Sequence, residues 1–531
     1  MAARVSPRWS VRLRRQWRLF NAEPPVVRIT AAGAVIVLLI GVLAAVGYSP
    51  DKKGPQGVAS RGRTSTGVNA AGAIASSASG DASAVGVPAS GGPGASTAGG
   101  AVGDGSSPQA GTGIAPDGTP LTDSDRGVTA TKIKVVFPYA NLGPIGQATG
   151  LDPGAEDEPT AIMAYVNDIN SRGGINGRVI DPEIVEYNPL DDADMRSKCK
   201  DWTESQEVFA VVDAYGWHDD HQLCITQEGH TPLISKWTTV TDWTDRGNPY
   251  LWWTGPDSVE VLDNLVASSI EVLRSNKFAV LTSDRESDKL ALDYIEASLA
   301  RAGLKEAVEP QELSFTPGVA ASQIPGVMVR LKAAEVKVVI PVLSFLQLVT
   351  FLQAEQSQGE HYQLLLSDYE SSIQAMLGLA ETQYENELQD TIGPTVFMLG
   401  NNEFPGGYTP LGEICSQLYH KQDPNYPDDL EGVGTAMTWC QNIFVFAQAA
   451  TLAGNNLTRD TFNHAMTQVQ GFGGSIVPDL TFAGGLHAGP HQYRTVQIHV
   501  NGDKACPKKK DGGDHGSCWL IKRDFEPARH V

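Results

Sequence analysis

Apolar and polar positions along the chain fall into two alternating periods. Lys132–Phe137 (KIKVVF) alternates and is β-branched, the pattern of a strand. From Thr160 the period lengthens: Ile162, Tyr165, Val166 and Ile169 share one helical face. SRGGINGR (171–178) then breaks that helix, its glycines suited to positive φ in a tight turn. EIVEY (183–187), VFAVVDA (208–214) and TPLIS (231–235) read as further strands with helices between them. The second of these is almost wholly apolar, as expected for a strand covered on both faces. Past Pro256 the same alternation resumes. Strands KFAVLT (277–282), VKVVIPV (336–342), QLLLS (363–367) and TVFML (395–399) are separated by helical stretches, and helices fill much of 410–470. Strict strand–helix alternation predicts parallel, doubly wound sheets. Two runs meeting near residue 250 predict two Rossmann-like lobes of an α/β protein with a hinge, the second run recrossing to the first near 394.

The first 125 residues follow neither period. Residues 29–48 are twenty uncharged, mostly apolar residues, which as a helix would span about 30 Å, a bilayer core. Seven arginines and one acid precede them, so the positive-inside rule keeps residues 1–28 cytoplasmic and sends the body outside. A cleaved signal peptide is the alternative, but the apolar run exceeds the usual signal core of about 7–15 residues. No cysteine lies near its end to carry a lipid. Residues 49–125 are rich in Gly, Ala, Ser and Pro, cannot bury enough apolar area to offset ordering, and are expected to be a flexible linker. The chain carries a net charge of −21 although its N-terminal piece is basic, so the body is acidic and nucleic acid is not expected as a partner. Six cysteines without a C-x-x-C fit an oxidising location, and sequence neighbours suggest Cys199–Cys224, Cys415–Cys440 and Cys506–Cys518; buried free thiols are the alternative.

Four ordered stretches carry a family resemblance. They are GVTATKIKVVFPY, YVNDINSRGGINGRVI, the pair CKDWTESQEVFAVVDAYGW and LCITQEGHTPLIS, and SDRESDKLALDYIEASLARAGLK. Together they resemble the branched-chain-amino-acid-type (Leu/Ile/Val-binding-like) substrate-binding proteins of ABC transporters, which have the type I periplasmic-binding fold. The resemblance implies a ligand held between lobes at the carboxyl ends of strands, with a hinge closing over it. It organises the chain as lobe 1 over 126–250 plus about 394–500, lobe 2 over 251–393, and a disulfide-stapled C-terminal segment over 501–531.

Loops after the strands supply the candidate ligand-binding residues. Tyr215 and Trp217 follow one lobe-1 strand, and Lys236, Trp237 and Thr238 follow the next. The resemblance implies small hydroxyl or backbone groups at these two loops. Trp217, Lys236 and Trp237 depart from that and point away from a simple aliphatic amino acid, unless the tryptophans only pack the cleft wall and Lys236 is solvated. In lobe 2 the candidates are Ser283, Arg285, Ser344, Phe345 and Asp368. Asp368 lies where the family can pair an acid with a ligand ammonium; capping the next helix is its other reading. Arg285 replaces a frequent Tyr-Gly pair.

Other chemistry is thin. The G-x-S-x-G, Walker and H-E-x-x-H patterns are absent, so neither enzymatic activity nor a cofactor is expected. His218, Asp219, Asp220 and His221 read as a helix-opening turn rather than a metal site, and His487 and His491 as part of a turn. The expected function is extracytoplasmic, membrane-anchored capture of an amino-acid-like, amide or aromatic solute, with an ABC permease as candidate partner. The alternative is a ligand-sensing or assembly receptor whose cleft is regulatory or vestigial.

Overall fold

A computed structural model describes residues 111–141, 143, 158–213, 220–236, 240–400, 409–424, 430–500, 502–508 and 515–531. The expected anchor (29–48), the basic N-terminus and linker residues 49–110 lie outside the described residues. Among those described, no helix is long and apolar enough to cross a membrane.

The first lobe alternates as its sequence pattern requires. It runs β1 (Lys132–Ala140), α1 (Glu158–Ser171), β2 (Val179–Tyr187), α2 (Asp192–Lys200), β3 (Ala210–Asp213), α3 (Asp220–Leu223), β4 (Leu233–Ser235), α4 (Thr241–Gly247) and β5 (Leu251–Trp253). These strands form one parallel sheet in the order β2-β1-β3-β4-β5. β3, β4 and β5 are buried along their whole length, which is why their sequences are apolar runs rather than alternations.

The second lobe begins with α5 (Ser258–Ser268) and α6 (Ile270–Ser275). It continues through β6 (Phe278–Ser283), α7 (Glu286–Arg301), β7 (Gln311–Leu313), α8 (Pro317–Ala333), β8 (Val338–Pro341), α9 (Phe345–Gln358), β9 (Gln363–Leu364), α10 (Ser372–Thr382), α11 (Glu385–Leu388) and β10 (Ile392–Thr395). Its sheet is parallel in the order β7-β6-β8-β9. The chain then returns to lobe 1 as α12 (Pro410–Gln422), α13 (Leu430–Leu452) and α14 (Arg459–Met466). Phe446 and Phe462 pack there against Phe209, the residue leading into β3.

Three features depart from the sequence expectation. Strand β11 (Gln492–His499), expected in lobe 1, pairs antiparallel with β10, and β12 (Cys518–Pro527) pairs with β11. A parallel bridge between Leu365 and Ile392 connects this three-stranded piece to the lobe-2 sheet. Both strands therefore belong with lobe 2, and the 501–531 segment is not separate from it. The predicted strand 395–399 ends at Thr395, because from Val396 the chain leaves the sheet toward lobe 1.

The third departure is that residues 111–125, expected within the linker, are part of the described structure. Ala115, Leu121 and Val128 are buried, and long-range polar contacts hold the segment against lobe 1. The turn at 173–177, with positive φ at Gly173, Gly174, Asn176 and Gly177, delivers Arg178 into the interior, where it is 1% exposed. Arg178 donates to the carbonyls of Thr129 (2.8 Å), Thr122 (3.0 Å) and Asn455 (3.0 Å). Asp125 accepts from the Arg459 guanidinium at 2.7 Å. The three sequence-neighbour disulfides form as expected, Cys199–Cys224, Cys415–Cys440 and Cys506–Cys518.

Candidate functional site

Three crossings join the lobes: residues 254–257, the stretch that begins with 396–400, and residues 482–491. The first and third are in register through a parallel bridge between Trp253 and Ala488, and His487 stacks on Trp252 at 4.1 Å. His487, expected in a turn, thus lies in the third crossing, packed against the end of β5. Its Nδ1 lies 2.6 Å from the Leu251 carbonyl, and burial depresses its basicity. Because both sheets are parallel, the carboxyl ends of β3 and β4 lie by the crossings on one side, and those of β6, β8 and β9 on the other.

On the lobe-1 side, β3 ends in Asp213, fully buried, whose carboxylate accepts from Ser235 Oγ at 3.0 Å. Its carbonyl accepts from Asn442 on α13 at 2.6 Å, so the returning helices brace the strand end. Lys236 follows directly after β4. It is only 4% exposed, so the solvated reading fails; its ammonium stands 5.0 Å from the centroid of Phe397 on the second crossing. The other lobe-1 candidates, Tyr215, Trp217, Trp237 and Thr238, lie outside the described residues, as do His218 and Asp219. His221 Nε2 is 3.2 Å from Asp192, and no group of metal-ligating side chains occurs among the described residues.

On the lobe-2 side, Asp368 follows β9 and is 1% exposed. Its Oδ1 accepts from Thr395 Oγ1 at 2.9 Å and its Oδ2 from the Val396 amide at 2.7 Å. It therefore grips the start of the second crossing rather than capping α10. Burial lifts its pKa to about 7 against the opposing pull of those two donors and of Lys236. Burial pushes the phenol of Tyr493 on β11 well above the usual range, and the nearby Glu260, Asp257 and Asp368 add to that.

Ser283 and Arg285, at the end of β6, are drawn into a buried network. Ser283 Oγ donates to Asp288 Oδ2. Asp288 Oδ1 accepts from Arg285 at 2.9 Å and from the Tyr369 hydroxyl at 2.8 Å. Arg285 also pairs with Glu370 at 2.7 Å and lies 4.9 Å from the Phe315 ring centroid. Glu370 adopts φ 57°, a left-handed conformation costly for a residue with a Cβ, and the network holds it there. Ser344 caps α9: its hydroxyl and its amide both donate to Gln347 Oε1, at 3.0 and 3.2 Å. Phe345 beside it is half-buried.

The structure therefore brings Lys236, Asp368 and Phe397 together, and sets Ser283, Arg285 and Ser344 in their own lobe's polar scaffold. Sequence reasoning missed Asp213, Asp288, Glu370 and Phe397. Asp213 carried a signal, as the one acid closing an apolar strand; Glu370 carried none. A separate cavity of about 430 Å³, lined by Arg126, Thr203, Gly229, Tyr250 and Arg459, opens at the amino ends of the lobe-1 strands, away from the crossings.

Comparison with known proteins agrees with this arrangement. A family model described as periplasmic binding protein matches residues 142–504. A search of curated proteins finds no match. Among solved structures, the fold is similar to a fatty acid ABC transporter substrate-binding protein from Thermomonospora curvata, with 18% identity and TM-score 0.52, covering 78% of this chain and 97% of that one. It is also similar to a branched chain amino acid ABC transporter protein from Thermus thermophilus with bound valine, with 14% identity and TM-score 0.54, covering 75% and 97%. A solute binding protein from R. palustris in complex with 4-hydroxybenzoate gives 12% identity and TM-score 0.54, covering 75% and 98%. At these identities the likeness is one of fold.

Proposed function

The chain belongs to the periplasmic binding protein family, and on that premise we propose that it is a solute-binding protein that captures a small molecule between its lobes. Burial of Lys236 beside Phe397 and Asp368, where the strand ends of both lobes meet, carries this reading. Closing lobes remove a bound solute from water, which strengthens each polar contact made to it. A buried ammonium and an aromatic ring suit a small carboxylate with an apolar or planar body, which narrows the expected amino-acid-like, amide and aromatic range. The relatives named for fatty acid, valine and 4-hydroxybenzoate each concern a carboxylic acid, which supports the same choice. In this reading residues 29–48 anchor the chain, the body lies outside the membrane, and the solute passes to an ABC permease.

A thermal-shift panel on the full chain tests it, using amino acids, their amides, fatty acids, aromatic acids, polyamines and sugars. A carboxylate should raise the melting temperature; at 100 times its dissociation constant it adds about 2.7 kcal/mol. Lys236→Gln should abolish that rise, and the matching amide should give less of it. A panel without any hit would favour the sensing or assembly reading instead.

A further inference from the structure

The second crossing carries Phe397, the ring beside Lys236, and both lobes hold it. After Val396, taken by Asp368, the next three amides are engaged in turn. Phe397 donates to Thr395 Oγ1 at 3.0 Å, Met398 to the Ile476 carbonyl at 2.9 Å, and Leu399 to the Phe397 carbonyl at 2.7 Å. Ile476 lies on the lobe-1 side, where neighbouring Ser475 donates to the Met437 carbonyl of α13 at 2.6 Å. The β11–β12 ribbon of lobe 2 holds the far end. Arg494 on β11 is 4% exposed; it donates to the Leu399 carbonyl at 2.7 Å and to Asp524 on β12 at 2.8 Å. Its guanidinium stands 4.1 Å from the centroid of the Phe525 ring. Gly400, at φ 87°, approaches the same ribbon so closely that a Cβ there would meet Ile521 Cγ1 at 2.8 Å.

We propose that Arg494 is a positioning residue for the solute site: by pinning Leu399 to the β11–β12 ribbon it holds the Phe397 ring against Lys236. The planar fork of a guanidinium suits this, because one group spans two strands and the crossing in a fixed geometry. Asp524 is largely exposed, so its ion pair with Arg494 adds little. The Leu399 carbonyl belongs to a buried residue, and losing its donor there is costly. Leu399 is tied in turn to Phe397 through the amide–carbonyl contact between them, so movement of one carries the other. That Phe397 faces a solute rests on the function proposed above; the pin itself is measurable without any solute.

The test uses the full chain labelled with 3-fluorophenylalanine, with no solute added. The Phe397 fluorine resonance is assigned by its loss in Phe397→Leu, and Lys236→Gln should shift it, since the ammonium stands over that ring. Arg494→Met should shift it as well. The same variant should speed amide exchange in a peptide covering 396–400 about tenfold, the effect of losing one hydrogen bond from a charged donor. Peptides in β1 and β6 should exchange as in the wild type. Arg494→Lys, which keeps a charged donor for Leu399, should restore part of both readings. Gly400→Ala leaves Arg494 in place but drives the crossing off Ile521, and should shift the resonance too; it decides the matter if Arg494→Met does not fold. A Phe397 resonance unmoved in Arg494→Met and in Gly400→Ala would overturn the proposal. So would faster exchange spread equally over β1 and β6, which would make Arg494 a general stabiliser of the fold. These readings stand apart from the thermal-shift panel, so a failed panel and a failed pin are told apart.

Discussion

Arg285→Met is expected to cost about 3–5 kcal/mol of folding stability, the range for removing one partner of a buried ion pair. The guanidinium is 10% exposed and its partners Asp288 and Glu370 are fully buried, so water cannot replace it. Asp288 keeps the hydroxyls of Ser283 and Tyr369, whereas Glu370 loses its ion-pair partner in a backbone conformation that already carries strain. Adding Glu370→Gln should therefore recover part of the loss, because a neutral amide is cheaper to bury than a carboxylate that has lost its arginine. Urea unfolding of the wild type, the single variant and the pair measures this. A single variant within about 0.5 kcal/mol of the wild type, the scatter of surface substitutions, would mean that the network does not hold the β6 end in place.

Arg178→Met should be of similar size for a different reason. Its three carbonyl partners come from three separate segments, at Thr122, Thr129 and Asn455, and hydrogen bonds to a charged donor contribute about 1.5–3 kcal/mol each. Some of that returns as the freed carbonyls near the surface are hydrated, leaving a net loss of about 3–5 kcal/mol. Loss of the clasp should also free residues 111–130. Limited proteolysis would then cut the variant within that segment under conditions where the wild type resists. Unchanged cleavage together with unchanged urea unfolding would count against the clasp.

How far the fold was legible follows from the range of the contacts involved. Strand–helix alternation and the GGINGR turn are local patterns, and they gave both parallel sheets. The cysteine pairs were legible because each joins neighbours in sequence. The clasp was not, because Gly- and Pro-rich composition hides a segment held by partners such as Arg459 and Leu457, more than 300 residues away. The partner of β11 was hidden for a related reason: antiparallel pairing with β10 spans the whole three-helix return to lobe 1. Within the site, position after a strand singled out Lys236 and Asp368 as candidates. Their burial did not show in residue type, since lysine and aspartate are seldom buried unless partnered. Only the meeting of three crossings explains why these two are covered. Ser283 and Arg285 sit after a strand in the same way, yet Asp288, five and three residues on, engages both.

The central claim is that a solute lies between the two lobes, in contact with both. Hydrogen exchange of the full chain, with and without a carboxylate that raises its melting temperature, tests this most directly. The account predicts new protection in both lobes together, at 233–236 (β4 and Lys236 after it) and at 283–288, 341–345 and 365–369 in lobe 2. Protection confined to one lobe, or centred on the cavity around Arg126, Thr203 and Tyr250, would contradict it.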